Sequence, residues 1–202
     1  MHFIIPVSVC IAASAAGAQT WPQTPGDMRH IMISLDSGTN TLTAMVDGGT
    51  APQELYTYAE SYTPPADVLD GMFYNAQFGF LGDGFIDPGP GNFLYLELLS
   101  GTTGLEVYEG GMRMMKASHT YAPIFGTAGS DTAWQWDATM QHHWFAAEVL
   151  GSYQADFRVF VGDGAGQEDP AFIADTFTLY FNAVPAPGVL APFAMLAFRR
   201  RR

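Results

Sequence analysis

Cysteine occurs once in the 202 residues, at Cys10, and basic residues only eight times. A single cysteine within an apolar leader leaves the body without disulfides, thiolate chemistry or cysteine metal ligands. Four of the eight bases form the terminal run Arg199, Arg200, Arg201 and Arg202. All twenty Asp and Glu residues lie between Asp27 and Asp175, where the only bases are Arg29, Arg113, Lys116 and Arg158. Four bases against twenty acids leave that stretch at −16. Such a surface repels phosphate backbones and anionic headgroups, which excludes nucleic acid as a partner. Charged residues reach only 14%, against about 25% in an average chain, so a coiled coil or a charged disordered tail is also excluded. No apolar run reaches the roughly 18 residues that a spanning helix needs. G-x-S-x-G, H-E-x-x-H and C-x-x-C are all missing, so serine-hydrolase and motif-grade zinc chemistry lack an anchor.

What is present is aromatic and turn-rich: 14% Phe, Trp and Tyr, with 22 glycines and 13 prolines. From Met28 the chain alternates apolar and polar residues in short segments separated by turn clusters, the period of strands. Residues 30–46 read as a β-hairpin turning at Ser37-Gly38-Thr39-Asn40. Further strands are expected at 93–99, 105–108, 112–117, 132–136, 140–149, 153–161 and 176–181. A short helix fits 66–71, and the Gly- and Pro-rich stretch 79–92 cannot be regular throughout. Short strands with turns every 8–12 residues predict an all-β fold: one antiparallel β-sandwich or jelly-roll-like domain over 19–183.

The ends read as addresses. Residues 1–18 have the form of a signal peptide, with an apolar stretch from Phe3 to Ile11 and Ala16-Gly17-Ala18 as an A-x-A cleavage site before Gln19. Residues 184–202 begin Val184-Pro185-Ala186-Pro187, continue as an apolar run to Phe198 and stop at Arg199 and Arg200. Ten apolar residues, Val189 to Phe198, are too few to cross a hydrocarbon core of about 30 Å. A short sorting helix with a positive stop is the expected form. The tail resembles the PEP-CTERM signals processed by exosortase-type transpeptidases of Gram-negative bacteria, in the V-P-A-P-G variant. That resemblance implies a secreted, cell-surface protein. Its partners would be signal peptidase and the sorting enzyme, and it would meet the membrane only transiently, through its two ends.

Four histidines lie beyond the leader: His30, His119, His142 and His143. On a strand, His142 and His143 face opposite ways, His142 with Met140 and Trp144 and His143 with Gln141 and Phe145. Two readings stand open: one imidazole at the core edge and its neighbour in water, or one of them in a metal site. Oxygen ligands for calcium could come from Asp83 and Asp87, or from Asp163, Glu168 and Asp169, although no EF-hand spacing is present. Tyr56, Tyr58, Tyr62, Phe73, Tyr74, Trp134 and Trp136 are candidates for stacking on sugars, or for core pairs.

The succession RHIMISLDSGTNTLTAMVDGG, YNAQFGFLGDG, LYLELLSGTTGLEVYEG and MQHHWFAAEVLGSYQADFRVFVGDG resembles the choice-of-anchor M surface-anchored domain. It is also similar to zinc-repressor-regulated PEP-CTERM proteins. His30, Gly79-Phe80-Leu81-Gly82, Trp144 and Gly151-Ser152-Tyr153 carry the likeness; Met140 stands where the family pattern has the first histidine of a pair. The resemblance implies extracellular zinc or manganese handling and places His30 and His142 at one end of the sandwich. Two imidazoles need His119 or a carboxylate to complete a zinc shell. The expected function is therefore an exported, surface-attached, non-enzymatic β-sandwich with a divalent metal at His30, His142 and His119. The alternative is a carbohydrate- or matrix-binding module for exopolysaccharide that uses exposed aromatics. A glycoside-acting enzyme is a third option.

Overall fold

A computed structural model of the chain describes residues 19–186. Its strands are β1 Arg29–Asp36, β2 Thr41–Val46, β3 Gln53–Tyr56, β4 Phe73–Asn75, β5 Phe78–Gly82 and β6 Asn92–Gly101. They continue as β7 Leu105–Gly111, β8 Pro123–Ile124, β9 Ala133–Trp136, β10 Gln141–Ala147, β11 Gly151–Asp163 and β12 Asp175–Val184. All join one open sheet in the order β2-β1-β5-β10-β4-β3-β12-β11-β6-β9, with β7 added on β10 and β8 on β7. The protein is all-β, and the arrangement is consistent with a β-sandwich. The leader with Ala16 and Ala18, and the tail from Pro187 through Arg199 and Arg200, lie outside the described residues.

Two expectations need correcting. The sheet is mixed rather than antiparallel, because β1 runs parallel to β5 and β3 parallel to β12. Each parallel pair joins segments far apart in sequence, as it must, since a tight turn can connect only antiparallel strands. Residues 112–117 are not a strand. Gly110-Gly111 ends β7, and Met115 and Ser118 then donate backbone bonds to the carbonyls of Met112 and Met115 in successive turns. The apolar content there was misleading, since Met112, Met114 and Met115 are exposed. The hairpin at 30–46 is present, with Leu35 opposite Leu42. The expected short helix is a 3-10 turn over Ala66–Leu69.

Strand alternation builds the core. Ile31, Ile33, Phe78, Phe80, Phe145, Phe157, Val159, Leu179 and Phe181 share one buried cluster. Within it Phe157 stacks on Phe177 at 5.5 Å, and Phe145 lies 4.6 Å from Phe181. Each such side chain contributes about 1.5–3 kcal/mol when fully buried. The alternate residues of β4 and β10 point the other way into a smaller cluster, where Tyr74, Trp144 and Ala146 meet Tyr62, Leu69 and Tyr121 from the covering loops. The last strand extends one residue past the expected domain boundary, since Val184 pairs with Tyr56.

Candidate functional site

Four strands align one residue each into a single row: His30 on β1 opposite Gly79 on β5, Gly79 opposite His142 on β10, and His142 opposite Gly111 on β7. Residues in such a row project to the same face of the sheet. Here that face is the outer one, because their neighbours Ile31, Phe78, Phe80 and Phe145 fill the core. The glycines make room for the rings. A Cβ added at Gly79 would lie 2.6 Å from both Cε1 and Nε2 of His142. The His142 ring therefore lies over Gly79 of β5 with its Cε1–Nε2 edge. The ring centres of His30 and His142 are 6.3 Å apart, edge to face at 73°.

His142 is wholly buried. Its Nδ1–H donates to the Ala76 carbonyl at 2.9 Å, which leaves a lone pair on Nε2. That Nε2 and the Nε2 of His30 are both buried without a hydrogen-bond partner among the described residues. Burial pushes the His142 pKa down to about 4; the Ala76 bond opposes this, and His30, Arg113 and His119 add to it. The imidazole is thus neutral.

The structure does not bring His119 into the pair as a ligand. The Trp144 indole, a donor only, donates to His119 Nδ1 at 3.0 Å. His119 Nε2 must then carry the proton, which it donates to the Met112 carbonyl, 3.0 Å away. Both nitrogens are engaged. The ring lies against Gly111, where an added Cβ would come within 3.1 Å of Cδ2. Among the described residues no group of three or more His, Cys, Asp or Glu side chains is placed to hold a metal ion.

His143 faces the opposite way, as its phase on the strand requires, but it is not in water. It is fully buried, boxed by Phe80, Phe125 and Trp134 at 5.5, 5.7 and 4.6 Å. Its Nδ1 accepts from the Gly110 N–H at 3.2 Å. Burial drives its pKa down to about 3, with His142 and His119 contributing.

The calcium candidates do not converge. Asp163 accepts from the backbone of Ala165 and Gln167, Asp169 from that of Ala171, and Asp87 from that of Gly89. Glu168 pairs with Arg158 at 2.9 Å. These carboxylates close their own turns or an ion pair. The four bases of the body are likewise committed. Arg158 also pairs with Glu97 at 2.5 Å, Arg29 donates to the Ala51 carbonyl, Arg113 to those of Thr24 and Gly26, and Lys116 to that of Pro22. Arg113 and Lys116, with the Gln77 amide on Thr24, fasten the N-terminal segment over the outer face.

That segment forms one wall of a cleft that the sequence did not reveal. It has a volume of about 590 Å³, and its lining includes Gln23, Arg29, Gln53, Glu54, Tyr56 and Tyr58, with Ala186 at its edge. Of the seven candidate stacking aromatics, Tyr56 and Tyr58 reach this cleft, whereas Tyr62, Tyr74 and Trp136 are buried. Trp134 packs on His143, and Phe73 packs on the main core. The cue available in the sequence was the close tyrosine pair in Q-E-L-Y-T-Y, although β3 ends at Tyr56 and Tyr58 lies just beyond it.

No protein-family model matches this chain, and no curated protein matches it significantly.

Proposed function

We propose that the protein is an exported, surface-attached, non-enzymatic β-sandwich that binds extracellular polysaccharide in the cleft beside β3. The lining of that cleft carries the reading: two tyrosine rings next to two amides, a carboxylate and a guanidinium, in a concavity of about 590 Å³. Small-ligand sites usually occupy about 300–1,000 Å³ and combine apolar walls with a few polar groups that fix orientation. Sugars suit this mixture, because their C–H faces stack on aromatic rings while their hydroxyls bond amides and carboxylates. Among the described residues the lining contributes the Glu54 carboxylate, and Glu60 stands next to that lining, holding the Gln23 amide at 2.8 Å. Export and attachment rest on the leader and the V-P-A-P tail.

The divalent-metal reading keeps two of its three expected ligands, His30 and His142. A tetrahedral zinc shell needs four, which makes zinc the weaker choice. The test is calorimetric titration of the protein with soluble acidic and neutral exopolysaccharide fragments, wild type against Tyr56→Ala. Saturable binding that weakens at least tenfold in the variant is the expected result. Equal binding by both proteins, or none by either, would overturn the reading.

A further inference from the structure

The imidazole pair, independent of the cleft, has a chemistry of its own. We propose that His30 and His142 form a two-coordinate site for a soft monovalent d10 cation of the Cu(I) type.

Three observations carry this. First, the nitrogens are available. Both Nε2 atoms are buried and unpartnered, His142 is fixed in its tautomer by Ala76, and its Cε1–Nε2 edge lies over Gly79. Second, the span fits. Two metal–nitrogen bonds of about 2.0 Å, with about 1.2 Å from each ring centre to its nitrogen, cover roughly 6.4 Å when nearly straight. The ring centres are 6.3 Å apart with their planes inclined at 73°, which is within that reach. Two-fold coordination is a state that monovalent d10 ions accept and that zinc, which is tetrahedral in structural sites, does not.

Third, the surroundings select against a double charge. No described carboxylate joins the two histidines in a metal-holding group, and Arg113 is close enough for its charge to act on His142. The penalty for burying an ion grows with the square of its charge, so an uncompensated divalent ion is disfavoured far more than a monovalent one. The neighbouring donors are soft as well. Met32 shares the outer face of β1 with His30 by strand alternation, and Met45 lies opposite Met32 on β2. Thioethers and imidazoles together favour Cu(I) among the first-row metals.

The experiment uses the full-length chain with Cys10→Ser, because a thiolate would compete for a soft ion. Cu(I) is titrated anaerobically against a chromophoric chelator, and Ag(I) serves as the air-stable probe. One equivalent is expected, with affinity falling more than about 100-fold in His30→Ala, since loss of a partner behind a ligand alone typically weakens binding 10- to 100-fold. His30 is partly exposed, so this variant is the safer of the two for folding. A second readout needs no substitution in the pair: in ¹⁵N-histidine spectra, Ag(I) should shift Nε2 of His30 and His142 together and leave His119 and His143 in place. Unchanged affinity in His30→Ala would put the ion on the methionines and overturn the proposal. Zinc binding as tight as Cu(I), or no binding at stoichiometric concentration, would overturn it equally.

Discussion

Replacing Gly79 by alanine adds one methyl group at the crowded point of the histidine row. The new Cβ would sit 2.6 Å from two atoms of the His142 imidazole, well inside van der Waals contact. His142 has little freedom to withdraw, because it is fully buried and held by its bond to Ala76 at 2.9 Å. Overpacking of this kind costs about 1–3 kcal/mol, and swinging the ring away forfeits a hydrogen bond with a net worth of about 1 kcal/mol. For a domain of this size each kcal/mol shifts Tm by about 2–4 °C, so the combined loss of about 2–4 kcal/mol means that Gly79→Ala should lower Tm by roughly 4–16 °C. The discriminating assay is a double-mutant cycle with His142→Ala, read by chemical denaturation. Once the ring is gone, the added methyl has room, and the Gly79→Ala penalty should shrink to a few tenths of a kcal/mol. Penalties that simply add, within the roughly 0.5 kcal/mol expected of independent sites, would show that the ring does not lie over β5.

Acidification should destabilise the fold in a defined window. His142 and His143 fall to about 4 and about 3 when folded, from about 6.5 when unfolded. Between those values the unfolded chain binds more protons, so stability rises with pH there, by up to about 1.4 kcal/mol per pH unit for each histidine. Tm measured at pH 7, 6 and 5 should therefore fall with each step, whereas a flat profile would contradict the neutral burial of both rings. At the ends, exported protein should begin at Gln19 by N-terminal sequencing, and intact Met1 would refute cleavage. A chain truncated after Val184 should leave the cell surface yet keep its cooperative melt, because it retains the pairing with Tyr56. Loss of the melt would make the tail part of the core.

Strand alternation was legible wherever a segment was long enough to show it. Strand β6 follows from its near-continuous apolar run, and the hairpin at 30–46 and the long strands β11 and β12 follow from period-two patterns. So does the opposite facing of His142 and His143. The pieces Q-E-L-Y and F-Y-N are too short to display a period, and β3 and β4 went unread although they bring Tyr56 and Asn75 into the sheet. The methionine-rich stretch at 112–117 misled in the other direction, since apolar residues without a partner strand make a turn as readily as a strand. In the site, the roles of Gly79 and His119 were hidden for one reason. Each is set by a residue distant in sequence that the fold brings alongside, His142 in the first case and Trp144 in the second. An isolated glycine inside the apolar run F-G-F-L-G was the available hint of a close approach. It could not say that the approaching group is an imidazole 63 positions later.

The parallel pairing of β3 with β12 has a mechanical consequence. Because the two strands run the same way, Tyr56 and Val184 finish side by side, and the cleft opens where they finish, with Ala186 at its edge. On the proposed attachment, a tether beyond Ala186 would therefore pull from beside the cleft that Ala186 helps to line. When a polymer is gripped in that cleft, tension between tether and polymer loads the end of the β3–β12 ladder, where Val184 pairs with Tyr56. β12 is also paired along its length with β11, from Ala183 opposite Gly151 onward, so the load spreads from there into the centre of the sheet.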